Sequence, residues 1–382
     1  MQYRAFGKTG AQVSALGLGT MRLPLLSGEQ GSSSYGAEQV DAAATVRCIH
    51  HAIDCGVNYI DTAYNYMGGS SETLVGEALS GGLREKVYLA TKSPVWLLNR
   101  AEDFERVLHE QLRKLQTDHI DMYLLHSMNA LTWQKAVQFG LPEKMQQAKQ
   151  AGLVRYIGFS FHDELPLFRE IVDSVPWDFC QIQLNYMDTQ HQAGLAGLQY
   201  AAGKGLAVSI MEPLRGGFLV HPPQSVVSLL KRYGRTPVGF ALEYLWRQPG
   251  ISVVLSGMGN TAQIDENISY LEPSATPLTA QELQALAEQA KALLHAEKQI
   301  GCTGCQYCAP GCPVQIPIPQ VFHCYDGYLH GNDDAIKDQY RALKVSGVGT
   351  VQQCLSCHQC EQICPQHIAI AEWLKKVDRL LR

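Results

Sequence analysis

The chain has 382 residues, 46% of them hydrophobic and 18% charged, an ordinary globular composition that is too long for one core and predicts one domain of barrel size and one small one. Its net charge of −5 leaves no basic stripe, so nucleic acid is not expected as a partner. The start, MQYRAFGKTG, lacks an apolar h-region and no run of about 18 apolar residues occurs, so neither a signal peptide nor a membrane span is expected.

A hairpin is predicted first, over Tyr3–Val13 around Lys8-Thr9-Gly10, as a plug over one end of the larger domain. Short apolar strands then alternate with amphipathic helices from about residue 13 to 270. The predicted strands are Leu16–Gly19, Val57–Ile60, Val87–Ala90, Ile120–Leu125, Val154–Phe159, Cys180–Leu184, Ala207–Met211 and Ser252–Leu255. Predicted helices between them include Gln39–Cys55, Glu102–Leu115, Trp133–Ala151, Leu165–Val172 and Gln224–Lys231. The strands lack strict polar alternation, as parallel strands buried on both faces do. Eight strands with helical crossovers predict an α/β fold, a (β/α)8 TIM barrel. A doubly wound sheet is the alternative. It is weakened because Gly17-Leu18-Gly19 leads into Thr-Met-Arg, not into a G-x-G-x-x-G turn.

Thr279 and Glu282 form a capping-box signature ahead of a helix over Ala280–Glu297, after the breaker-rich Glu-Pro-Ser-Ala-Thr-Pro stretch. The domain boundary is placed just beyond, giving 1–297 and 298–382. In the second part, helices are predicted over Val321–Leu329, Asp334–Leu343 and Ala369–Leu380, the first two split by His330-Gly331-Asn332.

Three consecutive strands end on ionisable groups. Asp61-Thr-Ala-Tyr-Asn-Tyr66-Met-Gly-Gly-Ser-Ser-Glu72 follows the second, Thr91-Lys92 ends the third and Leu124-Leu125-His126 ends the fourth. Barrel enzymes place their active sites at this C-terminal face. A phenol near pKa 10 is a poor acid–base group at neutral pH; an ammonium beside it favours phenolate. A carboxylate orients the ammonium, and an imidazole binds the substrate oxygen or assists proton transfer. Together they aim a proton donor at a carbonyl oxygen.

These motifs, DTAYNY…GGSSET, TK and LLH, resemble the aldo/keto reductase superfamily in content and order, as does the opening FGKTGAQVSALGLGTMRL. The resemblance covers roughly residues 1–297. It implies Tyr66 as general acid/base, Lys92 and Asp61 as its tuning pair and His126 as the substrate-orienting group. It also implies nicotinamide contacts. Ser160 and Gln181 match the carboxamide-binding positions, with Phe161-His162 departing from the family's Ser-Asn. Met211 stands where many relatives stack a tyrosine on the ring, and Pro213, Leu214 and Gly216 follow it. Ser256, Gly257, Met258, Gln263 and Asn267 resemble the phosphate and adenine region, with backbone N–H groups at a helix N-terminus. Gly257 and Gln263 stand where NADP-selective relatives often have Lys and Arg. Arg215 is the nearest cation, and the choice between NADP and NAD stays open.

Of twelve cysteines, eight form two identical runs, Cys302-x2-Cys305-x2-Cys308-x3-Cys312-Pro and Cys354-x2-Cys357-x2-Cys360-x3-Cys364-Pro. Without a secretion signal this usage points to metal in a reducing, cytoplasmic compartment. The spacing is that of two [4Fe–4S] clusters. Zinc sites also use C-x2-C pairs, but not the remainder of this pattern. In two-cluster ferredoxins the fourth cysteine of each run ligates the other cluster. On that pattern one cluster takes Cys302, Cys305, Cys308 and Cys364, and the other takes Cys354, Cys357, Cys360 and Cys312. The helical spacer makes the tail resemble an α-helical ferredoxin. Cys48, Cys55, Cys180 and Cys324 are expected as buried small hydrophobes.

The expected activity is reduction of a small-molecule carbonyl, or oxidation of an alcohol, with the clusters linked to a ferredoxin or other redox protein. Hydride carries two electrons and each cluster takes one, so direct exchange needs a converter. A ferredoxin-dependent reductase with a bound flavin or substrate radical is therefore an alternative. An electron-carrier or redox-sensing subunit without its own turnover is another.

Overall fold

The computed structural model describes residues 1–28, 36–272, 276–295, 300–329, 333–343 and 349–382. The expected boundary at 297/298 and the His330–Asn332 break lie outside them. The chain opens with an antiparallel pair, β1 (Tyr3–Ala5) and β2 (Gln12–Ser14). Eight parallel strands follow: β3 (Leu16–Gly19), β4 (Tyr59–Asp61), β5 (Tyr88–Ser93), β6 (Ile120–Met128), β7 (Val154–Phe161), β8 (Phe179–Gln183), β9 (Ala207–Met211) and β10 (Ile251–Ser256). They form a closed barrel in sequence order, β10 pairing back onto β3. All nine residues of β6 are buried, which is why the strands carry no alternation.

The barrel helices are α1 (Ala42–Asp54), α2 (Ser71–Ala78), α3 (Asp103–Lys114), α4 (Ala130–Gln138), α5 (Leu141–Gln150), α6 (Leu165–Ser174), α7 (Gly194–Gly203), α8 (Gln224–Lys231), α9 (Pro237–Trp246), α10 (Thr261–Ser269) and α11 (Ala280–His295). The single helix predicted over 133–151 is two. Gly140 adopts φ +61, which ends α4, and Pro142 in the first turn of α5 needs no N–H partner. The expected box at α11 forms: Thr279 N–H donates to Glu282 Oε2 at 2.7 Å, and Glu282 N–H to Thr279 Oγ1 at 3.2 Å.

The hairpin plugs the N-terminal end of the barrel. Phe6, fully buried, packs with Tyr59 and Phe179 at ring-centroid distances of 5.9 and 5.2 Å. The C-terminal end is covered by the tail, whose helices are α12 (Ile318–Leu329), α13 (Asp333–Leu343), α14 (Gln359–Gln362) and α15 (Ile370–Leu381). Ile318, Phe322, Tyr340, Ile370, Leu374 and Leu381 build a second core, separate from the barrel's. Burying this core gives the tail its own hydrophobic stabilisation.

Candidate active site and cluster cavities

The structure brings the four predicted ionisable residues together at the C-terminal end of the barrel. Asp61 closes β4, Lys92 lies in β5 and His126 in β6. Tyr66 follows β4 on a short turn. There Met67 and Gly68 take φ +52 and +62, folding the phenol back over the strand ends. Lys92 Nζ donates to Asp61 Oδ1 at 2.6 Å, to the Thr62 carbonyl at 2.8 Å and to the Tyr66 hydroxyl at 3.2 Å. Gln181 Nε2 donates to the other Asp61 oxygen at 3.1 Å. A buried network fixes the end of β5. Glu72 accepts from Thr91 and Gln111, and Gln111 also donates to the Lys92 carbonyl at 3.0 Å.

Burial dominates the electrostatics. It pushes the Lys92 pKa down, while Asp61 pulls it back up. Burial, then the Asp61 and Glu212 charges, drive the Tyr66 pKa well above that of an ordinary phenol. The expected lowering by the ammonium is therefore outweighed, and Tyr66 is held as a neutral phenol. Burial, with Lys92 and His162 nearby, drives His126 well below the usual imidazole range, so it is neutral.

Asp61, Tyr66 and His126 line a cavity with Gln181, Met211, Pro213, Leu214, Gly216, Ser256, Gly257, Met258, Gln263 and Asn267. Ser160 is not in this wall; its hydroxyl accepts the Ser127 N–H at 2.7 Å. His162, two residues on, is in it. Arg215 turns away from the expected phosphate region and pairs with Asp188 at 2.8 Å. At that region Asn260 caps α10 and Asn267 Nδ2 donates to Ser256 Oγ at 2.9 Å. The exposed backbone N–H groups of a helix start suit a phosphate.

The same wall contains Cys305, already marked by its cysteine run, and residues the sequence did not single out: Arg22, Glu212, Thr303 and Tyr307; of these five, Thr303, Cys305 and Tyr307 belong to the tail. Arg22 Nη2 donates to the Thr303 carbonyl at 2.9 Å, and Thr303 Oγ1 to Glu212 Oε1 at 3.2 Å. Gln192 Nε2 donates to the Pro365 carbonyl at 2.9 Å, and Gln366 Nε2 to Gln183 Oε1 at 2.8 Å. The tail is thus docked on loops after β3, β8 and β9. Glu212 is strained at φ +55, and its carboxyl is raised to about 7 by burial, against the pull of Arg22. No sequence pattern marks the place of these residues in the wall, because it depends on docking between distant segments.

Two small cavities sort the eight cysteines. One is lined by Cys302, Cys305, Cys308 and Cys364, the other by Cys312, Cys354, Cys357 and Cys360. None of the eight is in a disulfide. Backbone N–H groups point at sulfur, Gly304 N to Cys302 Sγ and Ile316 N to Cys312 Sγ, both at 3.4 Å. Four convergent sulfurs with N–H donors around them are the donor set a cubane needs. Cys305 lines the first of these cavities and the cavity of Asp61, Tyr66 and His126 as well. Of the other cysteines, Cys48, Cys180 and Cys324 are buried as expected. Cys55 is not: it lies half-exposed beside His51 and Asp265.

Residues 15–291 match the aldo/keto reductase family profile. The chain belongs to the aldo/keto reductase family. Residues 301–369 match a 4Fe–4S dicluster domain. This oxidoreductase is 29% identical to L-galactose dehydrogenase of Arabidopsis thaliana over 321 residues, covering 77% of this chain and 96% of that protein. It is 27% identical to the aldo-keto reductase YhdN of Bacillus subtilis over 307 residues, 69% and 87% of the two chains. Among solved structures, the thermostable aldo-keto reductase Tm1743, in complex with the inhibitor epalrestat, superposes with a TM-score of 0.62. It is 26% identical over 75% of this chain and 99% of that one. The holo form of AKR11C1 from Bacillus halodurans has the same fold, with a TM-score of 0.63 at 24% identity over 76% and 96%. Among the described residues no helix is long and apolar enough to cross a membrane.

Proposed function

We propose that this aldo/keto reductase reduces a small-molecule carbonyl, or oxidises the corresponding alcohol, with NADH or NADPH at Tyr66. On this reading its two [4Fe–4S] clusters carry electrons between the barrel mouth and a redox partner such as a ferredoxin. The observation that carries this is the shared wall: Cys305 borders both the cavity of Tyr66 and His126 and the cavity of four cysteines. A bound nicotinamide supplies hydride to the carbonyl carbon. Tyr66, kept neutral by burial, holds the proton that the carbonyl oxygen takes up. Lys92 donates to the Tyr66 hydroxyl and so stabilises the phenolate as it forms. Asp61, itself held by Gln181, fixes Lys92. Neutral His126 orients the substrate oxygen. Gln181, Met211, Pro213, Leu214, Gly216, Ser256, Gly257, Met258, Gln263 and Asn267, which line the cavity, would hold the nicotinamide and its phosphates. The name of the Arabidopsis relative is in keeping with a hydroxylated substrate oxidised in the same site.

We assign 1–297 to the barrel and 298–382 to the cluster domain. Cys302, Cys305, Cys308 and Cys364 would hold the cluster nearer the barrel, and Cys312, Cys354, Cys357 and Cys360 the outer one. Clusters exchange single electrons. Cys357 is exposed beside Leu355, which is 65% exposed, and this supports the outer site as the entry or exit for a partner. A second reading is favoured by the same shared wall: the clusters feed a substrate, or a flavin, in the barrel directly. Anaerobic titration with NADH and NADPH, following cluster bleaching and EPR, tests both. Turnover of a carbonyl with nicotinamide, lost in Tyr66→Phe, supports the first. Turnover only with reduced ferredoxin or viologen replaces it with the second.

A further inference from the structure

The catalytic cavity has one polar wall that the barrel does not supply. Tyr307 stands between Cys305 and Cys308 in the tail, and its hydroxyl lies 3.3 Å from His126 Nε2. Its ring meets His126 and His162 edge-on, with centroids 6.4 and 6.0 Å away. A carbonyl oxygen accepts at most two strong hydrogen bonds, and Tyr66 and His126, both in the cavity wall, would supply them. Tyr307 is a third polar group at the same place. Around it other polar atoms have no hydrogen-bond partner: His126 Nδ1, His162 Nδ1 and Glu212 Oε2, all on residues of this cavity. Glu212 is close enough for its charge to act on both phenols. Buried polar groups left unpaired cost stability unless a ligand or water pairs them. The cavity is thus richer in donors and acceptors than a lone carbonyl uses.

Resting on the carbonyl-reductase reading above, we propose that Tyr307 is a specificity-determining residue supplied by the cluster domain, selecting carbonyl compounds that carry a hydroxyl on the adjacent carbon. The substrate's carbonyl oxygen takes the place between Tyr66 and His126. Its neighbouring hydroxyl pairs with the Tyr307 phenol, which yields its bond to His126. A site built to hydrogen-bond a substrate hydroxyl rejects the analogue that lacks it, because its own polar groups are left unpaired. Cys305 and Cys308, on either side of Tyr307, both line the first cysteine cavity, so the same loop that holds the inner cluster sets this selectivity.

The test uses the cluster-replete full chain and two near-isosteric pairs. Hydroxyacetone and 2-butanone are compared in turnover; 1,2-propanediol and 2-butanol are compared in equilibrium binding to the enzyme with oxidised nicotinamide, read by intrinsic fluorescence. The expected result is a preference of tenfold or more for the hydroxylated member in both assays. In Tyr307→Phe, which retains the ring, the preference falls about tenfold, mostly through KM, with the iron content and cluster absorbance of the parent. A parent without the preference overturns the proposal, as does a preference unchanged in the variant or binding of neither alcohol. Selective diol binding that Tyr307→Phe loses, in a protein that shows no hydride transfer, leaves this inference standing and removes the carbonyl-reductase reading instead.

Discussion

Gly216 has no room for a side chain because the Thr303 carbonyl oxygen stands where its Cβ would go. Its backbone, at φ +67, also favours glycine. This contact is where the loop after β9 meets the cluster domain. Gly216→Ala would need both a strained backbone and a retreat of Thr303. The expected outcome is a loosened tail: iron lost to a chelator at least several-fold faster, with the barrel's far-UV circular dichroism preserved. Iron release at the parent rate would show that the docking does not depend on this approach.

Tyr66→Phe removes the proton from the place where Lys92 presents it, 3.2 Å away. Loss of a positioned general acid typically costs about 10²- to 10⁴-fold in rate. Carbonyl turnover is expected to drop by that order, while nicotinamide affinity and cluster absorbance hold. Turnover close to the parent's would remove Tyr66 from the chemistry.

Lys92 and Asp61 are both buried and paired at 2.6 Å. Asp61→Asn leaves an ammonium in the barrel without its counter-charge, which costs on the order of 3–5 kcal/mol. Urea denaturation followed by tryptophan fluorescence should show the loss. Adding Lys92→Met to the same chain should recover part of it, because the uncompensated charge is then gone. An additive double variant would mean that the pair does not interact in the way its geometry implies.

The pH profile of reduction rests on two groups. Tyr66 must be protonated to act as the acid, so its contribution is present below its folded-state pKa and lost as pH rises through it. Burial places that pKa above the usual value of about 10. His126, driven below the usual 6.5 or so, stays neutral at higher pH. kcat for carbonyl reduction is therefore expected to be flat from about pH 8 to about pH 9, above the range in which Glu212, raised to about 7 in the same wall, titrates. An inflection in this range that disappears in His126→Gln would contradict the neutral imidazole.

The crossed grouping of cysteines has its own signature. Cys312 lies in the first run but lines the outer cavity. Cys312→Ala should remove the outer cluster and spare the inner one, whose EPR spectrum should still respond to nicotinamide bound in the barrel. Loss of the nicotinamide-sensitive signal in this variant would reverse the assignment.

Much of this was legible along the chain. Strand burial on both faces wrote the barrel as eight apolar runs, and β9 (Ala207–Met211) and α8 (Gln224–Lys231) have the predicted limits. The helix over 133–151 was not legible as two, because its apolar spacing continues across Gly140 and only the left-handed backbone there breaks it. Ser160 matched a family position, yet its hydroxyl is engaged by the end of the adjacent strand, a contact made only once the two strands pair.

The sequence by itself determined the chemistry-bearing residue types: four ionisable groups at successive strand ends and eight cysteines in two runs. Both are local, since strand ends and cysteine spacing repeat over a few residues. The tertiary structure alone decided where the tail sits, and so that Cys305 and Tyr307 enter the wall of the cavity that Tyr66 and His126 line. That placement depends on bonds such as Arg22 to Thr303 and Gln192 to Pro365, between residues 281 and 173 positions apart. No periodicity records such pairs, because the partners lie far apart in sequence and meet only in the folded chain.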